Sequence, residues 1–458
     1  MFKNILCLVF VISCSSLVSS CREPKEAERP NVIIVNIDDM GWRDVGFMGS
    51  EYYETPNIDK LASQGLVFSD AYASAANCAP SRACMMSGQW TPRHGIYTVE
   101  SSERGRSADR KLVPIPNTIT IPEDNYLLPQ ALRDAGYITC HAGKWHLNDN
   151  PLDKGFDINI GGNHSGNPGS YYPPYKNIPE LKAPTRDYSL TELIMDRTLD
   201  FLSDIKQPFF LYYAPYAVHT PIQPVKDLLP KYANKKAWNG QDNAKYATMV
   251  ENVDRQIGRM ISKLEETGKM ENTLILFTSD NGGVFKITKQ YPLRAGKGSY
   301  YEGGTRVPMF AFWKDKIKKG KSEVPVSNID FYPTILEATG TKKPEYKHLD
   351  GLSLLPIANG ITPNRNLYWH FPIYLEGGNK ETQDPIFRTR PGSSIRSGNW
   401  KLIQYFENND VELYNLKDDP SEKNNMATTA PEKTEELLKM LNKWRKETKA
   451  PIPTELNQ

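Results

Sequence analysis

Four short apolar runs without polar interruption recur along the chain, at Asn31 to Ile37, Tyr137 to Ala142, Phe209 to Ala217 and Thr273 to Thr278. Runs of this length and continuity predict strands buried on both faces, as in a parallel sheet; a half-exposed strand would alternate. Between them apolar residues return at three- and four-residue spacing over 57–64, 127–135, 190–205 and 245–267, and each pattern ends at a glycine or at Gln207-Pro208. Strands alternating with helices predict an α/β fold with a large, doubly wound, mostly parallel sheet flanked by helices. A late helix is expected over Asp330 to Thr339, and the α/β region closes near Asn359. Beyond it lie short strand-like runs at Ser393 to Arg396, Trp400 to Tyr405 and Glu412 to Leu416, then a charged amphipathic helix from Pro431 to about Thr448.

Composition narrows the function classes. Of 458 residues, 56 are Lys or Arg and 54 Asp or Glu, a net charge of +2, so no global cationic field recruits nucleic acid. The 34 prolines exceed the usual ~5% and predict many shaped loops, where sites are commonly built. Three of the six cysteines lie in the first 21 residues, and none forms a CxxC metal pair. Met1 to Asn4, the apolar run Ile5 to Ile12 and the Ser-rich exit have the form of a secretory signal over residues 1–20. Leu17 to Cys21 resembles a bacterial lipobox, with Cys21 acylated and residues 21–30 as a tether; Cys14 is a second acylation candidate, and a plain cleaved signal a third reading. Each implies an exported protein, periplasmic or at the surface of a bacterium.

In doubly wound sheets ligands bind beyond the carboxyl ends of the strands. Asp38-Asp39 follow the first run and Asp280-Asn281 the last. Oxygen donors without His or Cys suit a hard cation, Ca²⁺ ahead of Mg²⁺. Alone, either cluster reads equally well as a cap or a turn. Lys144 and His146 follow the second run and His219 the third, as expected where charge develops on an anionic ester, although a single histidine there also serves as a structural residue.

Cys78-Ala79-Pro80-Ser81-Arg82 resembles the Cys-x-Pro-x-Arg signature of type I sulfatases, a branch of the alkaline phosphatase superfamily. Gly143 to Leu147, His219 to Pro221, Ser279 to Gly283, Ala295 to Pro308 and Glu412 to Glu422 resemble further motifs of that family in the same order, so the likeness spans about residue 31 to 445. It implies an alkaline-phosphatase-like catalytic domain over 31–359 and a C-terminal subdomain over 360–458, a small antiparallel sheet with a helix packed on it.

The resemblance also implies a chemistry. A separate maturation enzyme would oxidise Cys78 to formylglycine, whose hydrate offers one hydroxyl to attack sulfur and another to expel sulfate. Pro80 marks an expected helix start, and an N-terminal helix end favours an anion. Asp38, Asp39, Asp280 and Asn281 would hold Ca²⁺ together with the modified Cys78; Arg82 and Lys144 would orient the hydrate, His146 would be its base, Lys297 would grip the sulfate and His219 would protonate the leaving oxygen. Phosphodiesterases and phosphonate monoester hydrolases of the superfamily place histidine where Asn281 stands, which favours the sulfatase. A sulfoglycan-binding protein with unmatured Cys78 is the third reading, and Cys84 and Cys140 are open between packing and a bridge. The implied substrate is a sulfated glycan, with Trp42-Arg43, Trp90 to His94, Asn163 to Tyr175 and His370 to Tyr374 as candidate sugar contacts.

Overall fold

A computed structural model describes residues 29–382 and 384–456. The signal-like segment, the acylation candidates Cys14 and Cys21 and nearly all of the tether lie outside them. Among the described residues no helix is long and apolar enough to cross a membrane.

The four apolar runs form the middle of an eight-stranded sheet. Its strands lie in the order Ile158–Ile160, Ile138–Gly143, Phe209–Ala214, Asn31–Ile37, Thr273–Ser279, Phe310–Phe312, Leu66–Phe68, Gly320–Ser322. Asn31–Ile37 pairs in parallel with Thr273–Ser279 along its whole length and with Phe209–Ala214 on its other side. Phe310–Phe312 runs against both of its neighbours, so the sheet is mixed at one flank. The third strand stops at Ala214, three residues before its apolar run does, because Pro215 cannot donate to the ladder.

Helices cover both faces, and two apolar clusters divide there. Ile33, Val35 and Ile37 face one cluster and Val32 and Ile34 the other, the strand's two-residue period. On the first side, the Ala244–Glu266 helix contributes Val250, Val253, Ile257, Met260 and Leu264, all buried at three- or four-residue spacing.

A separate four-stranded antiparallel sheet follows from Asn366, in the order Asn366–Phe371, Gly392–Ser397, Trp400–Tyr405, Val411–Asn415. The Pro431–Thr448 helix packs on it through Leu437, Leu441 and Trp444, whose indole stacks on Tyr368 at 4.7 Å. A buried ionic cluster joins this sheet to the Glu302–Thr305 helix of the catalytic region. Lys401 Nζ lies 2.9 Å from Glu302 and 3.0 Å from Glu422, all three side chains fully buried, and Tyr72 donates to Glu302 at 2.7 Å. Part of the 295–308 and 412–422 motifs is thereby structural.

Several aromatic and histidine candidates for sugar contact are packing residues instead. Trp90, His94, His370 and Tyr374 are buried: His94 sits 3.3 Å from Cys84 Sγ, and His370 bridges Ser393 and the Pro451 carbonyl. Trp42 is half-buried, with Arg43 over its ring. Cys78, Cys84 and Cys140 are free thiols, so no bridge links Cys84 and Cys140.

Burial, reinforced by the nearby cations Lys347, Arg82 and Arg445 respectively, pushes His94, His141 and His370 each down to about 3. Between about pH 6.5 and pH 3 the unfolded chain therefore takes up protons that the fold refuses, and stability falls with acidification. His370→Gln is expected to flatten that acid limb by up to about 1.4 kcal/mol per pH unit. Urea midpoints from pH 7 to pH 4 measure it; an unchanged slope excludes His370 from the effect.

Candidate active site

Four neighbouring parallel strands deliver the site. Lys144 follows Ile138–Gly143, Asp38 follows Asn31–Ile37, Asp280 follows Thr273–Ser279, and His219 lies five residues past Phe209–Ala214. Because these strands are adjacent and point the same way, residues up to 242 positions apart converge at one sheet edge.

The carboxylates form the centre. Oxygens of Asp38, Asp39 and Asp280 lie within 4.8 Å of one another, all buried. Asp39 has a left-handed backbone, φ 60°, which turns the chain so that its N–H donates to Asp280 Oδ1 at 3.1 Å. Asn281 Nδ2 donates to Asp39 Oδ1 at 2.8 Å. Burial raises Asp38 to about 8, Lys144 opposing the rise and Asp280 and Asp39 adding to it. Three buried carboxylates this close ionise together only if positive charge stands among them.

The residues fit a divalent cation in a further respect. Among the described residues, Asp38 Oδ1 and Asn281 Oδ1 are buried and accept no hydrogen bond. Two orphaned oxygens beside two further carboxylates make an oxygen-rich donor set of the kind hard cations take.

Cys78 opens the Cys78–Ser87 helix, two residues before Pro80, because Asn77 caps the helix and accepts from the Cys78 N–H at 3.2 Å. Its sulfur lies 3.5 Å from Lys297 Nζ, and it joins Asp38 and His219 in a second group whose ligating atoms fall within 4.8 Å. Lys297 Nζ also donates to Asp39 Oδ1 at 2.5 Å. Burial works against the Lys297 ammonium, but Asp39 outweighs it and holds the lysine above its ordinary range.

One turn on from Cys78, fully buried Arg82 donates through Nε to Asp280 Oδ2 at 2.8 Å and through Nη1 to the Lys144 carbonyl at 2.7 Å. Its Nη2 makes no hydrogen bond among the described residues and lies 3.8 Å from Asp38 Oδ1. Lys144 Nζ donates to Asp38 Oδ2 at 2.8 Å.

The two site histidines differ. His146, φ 68°, is buried with no partner on Nδ1, and burial followed by Lys144 and Arg82 pushes it well below its ordinary value, so it stays neutral. Gly166 lies against it: a Cβ there would come 2.7 Å from the imidazole, so a larger residue would displace either loop or ring. His219 is less buried; its Nδ1 donates to the Thr220 carbonyl at 2.8 Å, which leaves Nε2 facing Asp39 Oδ2 at 3.6 Å. Burial lowers His219 to about 4, with Asp39 pulling it up.

All ten residues singled out in the body of the sequence, Cys78 counted once, thus gather around one point. A cleft of about 600 Å³ opens over Asp39, Cys78, His146, His219 and Lys297. It is also lined by Arg104, Arg388, His164 and Asn167, which sequence reasoning did not single out by role. His164 and Asn167 fall inside the flagged 163–175 loop; Arg104 and Arg388 carry no motif.

The family model described as "Sulfatase" matches residues 30–341, and the model described as "N-sulphoglucosamine sulphohydrolase, C-terminal" matches 296–450. The chain is 31% identical to a protein named "Sulfatase" from Formosa agariphila, over 96% of this chain and 92% of that one. It is 30% identical to the "N-acetylgalactosamine-6-sulfatase" of Homo sapiens, over 74% of this chain and 68% of that one. Among solved structures, Ps i-CgsB in complex with k-i-k-neocarrahexaose superposes with a TM-score of 0.75 at 32% identity, covering 91% of this chain and 93% of that one.

Proposed function

The chain belongs to the sulfatase family and is a sulfuric ester hydrolase, and we propose that it removes sulfate from an extracellular sulfated glycan through formylglycine at Cys78 and a Ca²⁺ ion. The observation that carries this reading is the convergence of Cys78, at a capped helix start, with the Asp38–Asp39–Asp280 cluster and Lys297. Relatives named for carbohydrate sulfate esters, and a similar structure bound to k-i-k-neocarrahexaose, support a glycan over a small aryl ester.

Oxidised and hydrated, Cys78 supplies two geminal hydroxyls, one to attack sulfur and one to expel the sulfate. Asp38, Asp39, Asp280 and Asn281 would hold a calcium ion, which would supply positive charge to make a hydroxyl more acidic and to balance the carboxylates. The remaining work belongs to the chain. Lys297, between Asp39 and position 78, grips a sulfate oxygen. Arg82, rigidly held by Asp280 and the Lys144 carbonyl, keeps Nη2 without a hydrogen bond, 3.8 Å from Asp38 Oδ1, to orient the group at position 78. Lys144 steadies Asp38. Neutral His146 would take the proton released as the aldehyde reforms, and His219 Nε2, bare because Nδ1 holds the ring proton, would take the attacking hydroxyl's proton and pass it to the departing sugar oxygen. Water rehydrates the aldehyde, so each cycle consumes one water and yields the free hydroxyl and sulfate. Charge favours a monoanionic ester: Arg82, Lys144, Lys297 and a divalent cation outnumber three aspartates.

The same reading takes the protein as exported, anchored by acylated Cys21 and matured by a separate enzyme, with no nucleic-acid partner. A panel of defined sulfated mono- and disaccharides, run beside matched aryl sulfate and aryl phosphate with Ca²⁺ supplied, tests it. Sulfate release is expected to exceed phosphate release by at least about tenfold, a difference of roughly 1.4 kcal/mol in barrier. Faster phosphoryl turnover would favour the phosphodiesterase or phosphonate hydrolase reading, against which Asn281 stands as an oxygen donor.

A further inference from the structure

Arg388 and Arg104 line the same cleft as Cys78, and their ionic surroundings differ. Arg104 forks onto Glu376, with Nη2 to Oε1 at 2.6 Å and Nε to Oε1 and Oε2 at 3.0 and 3.1 Å, so Glu376 is fully engaged. Arg388, on the Phe387–Thr389 strand, has only neutral partners: Nε donates to the Glu376 carbonyl at 2.9 Å and Nη1 to the Lys297 carbonyl at 3.3 Å. Among the described residues no carboxylate lies within salt-bridge distance of it, and Nη2 has no hydrogen-bond partner. Its position is built. Gly298, φ +83°, leaves the space its stem occupies, since a Cβ there would come 2.5 Å from Arg388 Cδ.

A half-buried guanidinium without a counter-ion costs free energy unless a ligand supplies the negative charge. Burial lowers Arg388 from its ordinary value, with Glu376 and then Asp39 opposing. Through Lys297's own carbonyl the arginine is fixed next to the sulfate-gripping residue. Besides Asp39, the carboxylate along the cleft is Glu100, which is exposed and screened by water.

We propose that Arg388 is a specificity-determining residue that binds a second anionic group of the substrate, a carboxylate or second sulfate on the sugar carrying the scissile ester or on its neighbour. The preferred substrate is then a sulfated saccharide with two negative charges close together. A planar guanidinium with a free terminal nitrogen suits either oxyanion. The inference rests on the sulfatase reading and sharpens its substrate class.

Three matched saccharides test it: a neutral monosulfated one, its disulfated analogue and its uronate-containing analogue, each assayed for sulfate release by the full-length calcium-loaded enzyme. The wild type is expected to favour at least one of the two dianionic substrates by about 10- to 100-fold in kcat/KM, the range a hydrogen bond to a charged group supports. Which one responds distinguishes sulfate from carboxylate, and the preference should shrink as salt rises. Arg388→Gln should remove the preference while changing release from the neutral substrate by less than about threefold, and Arg388→Lys should restore part of it. Equal rates for all three in the wild type, or a loss in Arg388→Gln shared by neutral and dianionic substrates, overturns the proposal. The wild-type comparison stands even if the variant fails to fold. No release from any sulfated compound would instead reject the sulfatase reading.

Discussion

Replacing Cys78 by alanine is expected to lower sulfate release by about 10⁴-fold or more, the scale on which removing a covalent nucleophile acts. The fold should survive. Among the described residues, the Cys78 sulfur meets within hydrogen-bonding reach only Lys297 Nζ at 3.5 Å and Asn77 Oδ1 at 3.8 Å, and the helix cap at Asn77 uses the backbone N–H, which alanine keeps. Sulfate measured by ion chromatography, beside circular dichroism and a urea midpoint, separates lost chemistry from lost structure. Activity within tenfold of the wild type in a folded Cys78→Ala protein excludes Cys78 as the reacting residue. Mass spectrometry of the peptide containing position 78 adds an independent reading: formylglycine is lighter than cysteine. A thiol retained there, in a protein that binds sulfated glycans without turnover, is the signature of the binding-only alternative.

The second large effect concerns stability and lies away from the chemistry. Lys401→Met leaves Glu302 and Glu422 buried without their shared cation, and removing one partner from a buried ionic cluster costs roughly 3–5 kcal/mol. Tyr72 and Arg306 still hold one oxygen of Glu302, at 2.7 and 3.4 Å, which limits the damage on that side. The loss should grow with pH. Burial raises Glu422 from 4.5 to about 7, Lys401 opposing the rise and Glu302 adding to it. A carboxyl raised in the fold contributes its stability fully below about 4.5 and loses it as pH climbs through about 7. Without Lys401 the value rises further, so the gap between variant and wild type widens from pH 6 to pH 8. Urea unfolding at both pH values measures it; a loss below about 1 kcal/mol at pH 8, or one that does not grow, means the cluster does not clamp the small sheet to the Glu302–Thr305 helix.

Legibility followed the length of the pattern. The central strands showed in the sequence because buried parallel strands are continuous apolar runs, and Asn31–Ile37 and Trp400–Tyr405 have the bounds their apolar runs predict. The three-residue strands at the sheet flanks did not, since Phe310–Phe312 is too short for any period to register and its reversed direction leaves no local trace. The helix at Cys78 begins earlier than Pro80 suggests because Asn77, a good cap, outranks proline's preference for the first turn.

By itself the sequence determined the chemistry on offer: Asp38-Asp39 and Asp280-Asn281 at two strand ends, the cysteine signature, and the lysines and histidines that a sulfate ester requires. These are local, because a strand end and its next two residues travel together. Only the tertiary structure decided which groups are free to act. It spends Lys144 on Asp38 and Glu376 on Arg104, and leaves Arg82 Nη2 and Asp38 Oδ1 without hydrogen bonds. It buries Trp90 and His370, which the sequence offers equally well as sugar contacts, and sets Arg388 beside the cleft instead. Burial and counter-ion pairing are made by residues up to 326 positions apart, such as Arg104 and Glu376 or Asp70 and Arg396. No window along the chain contains them.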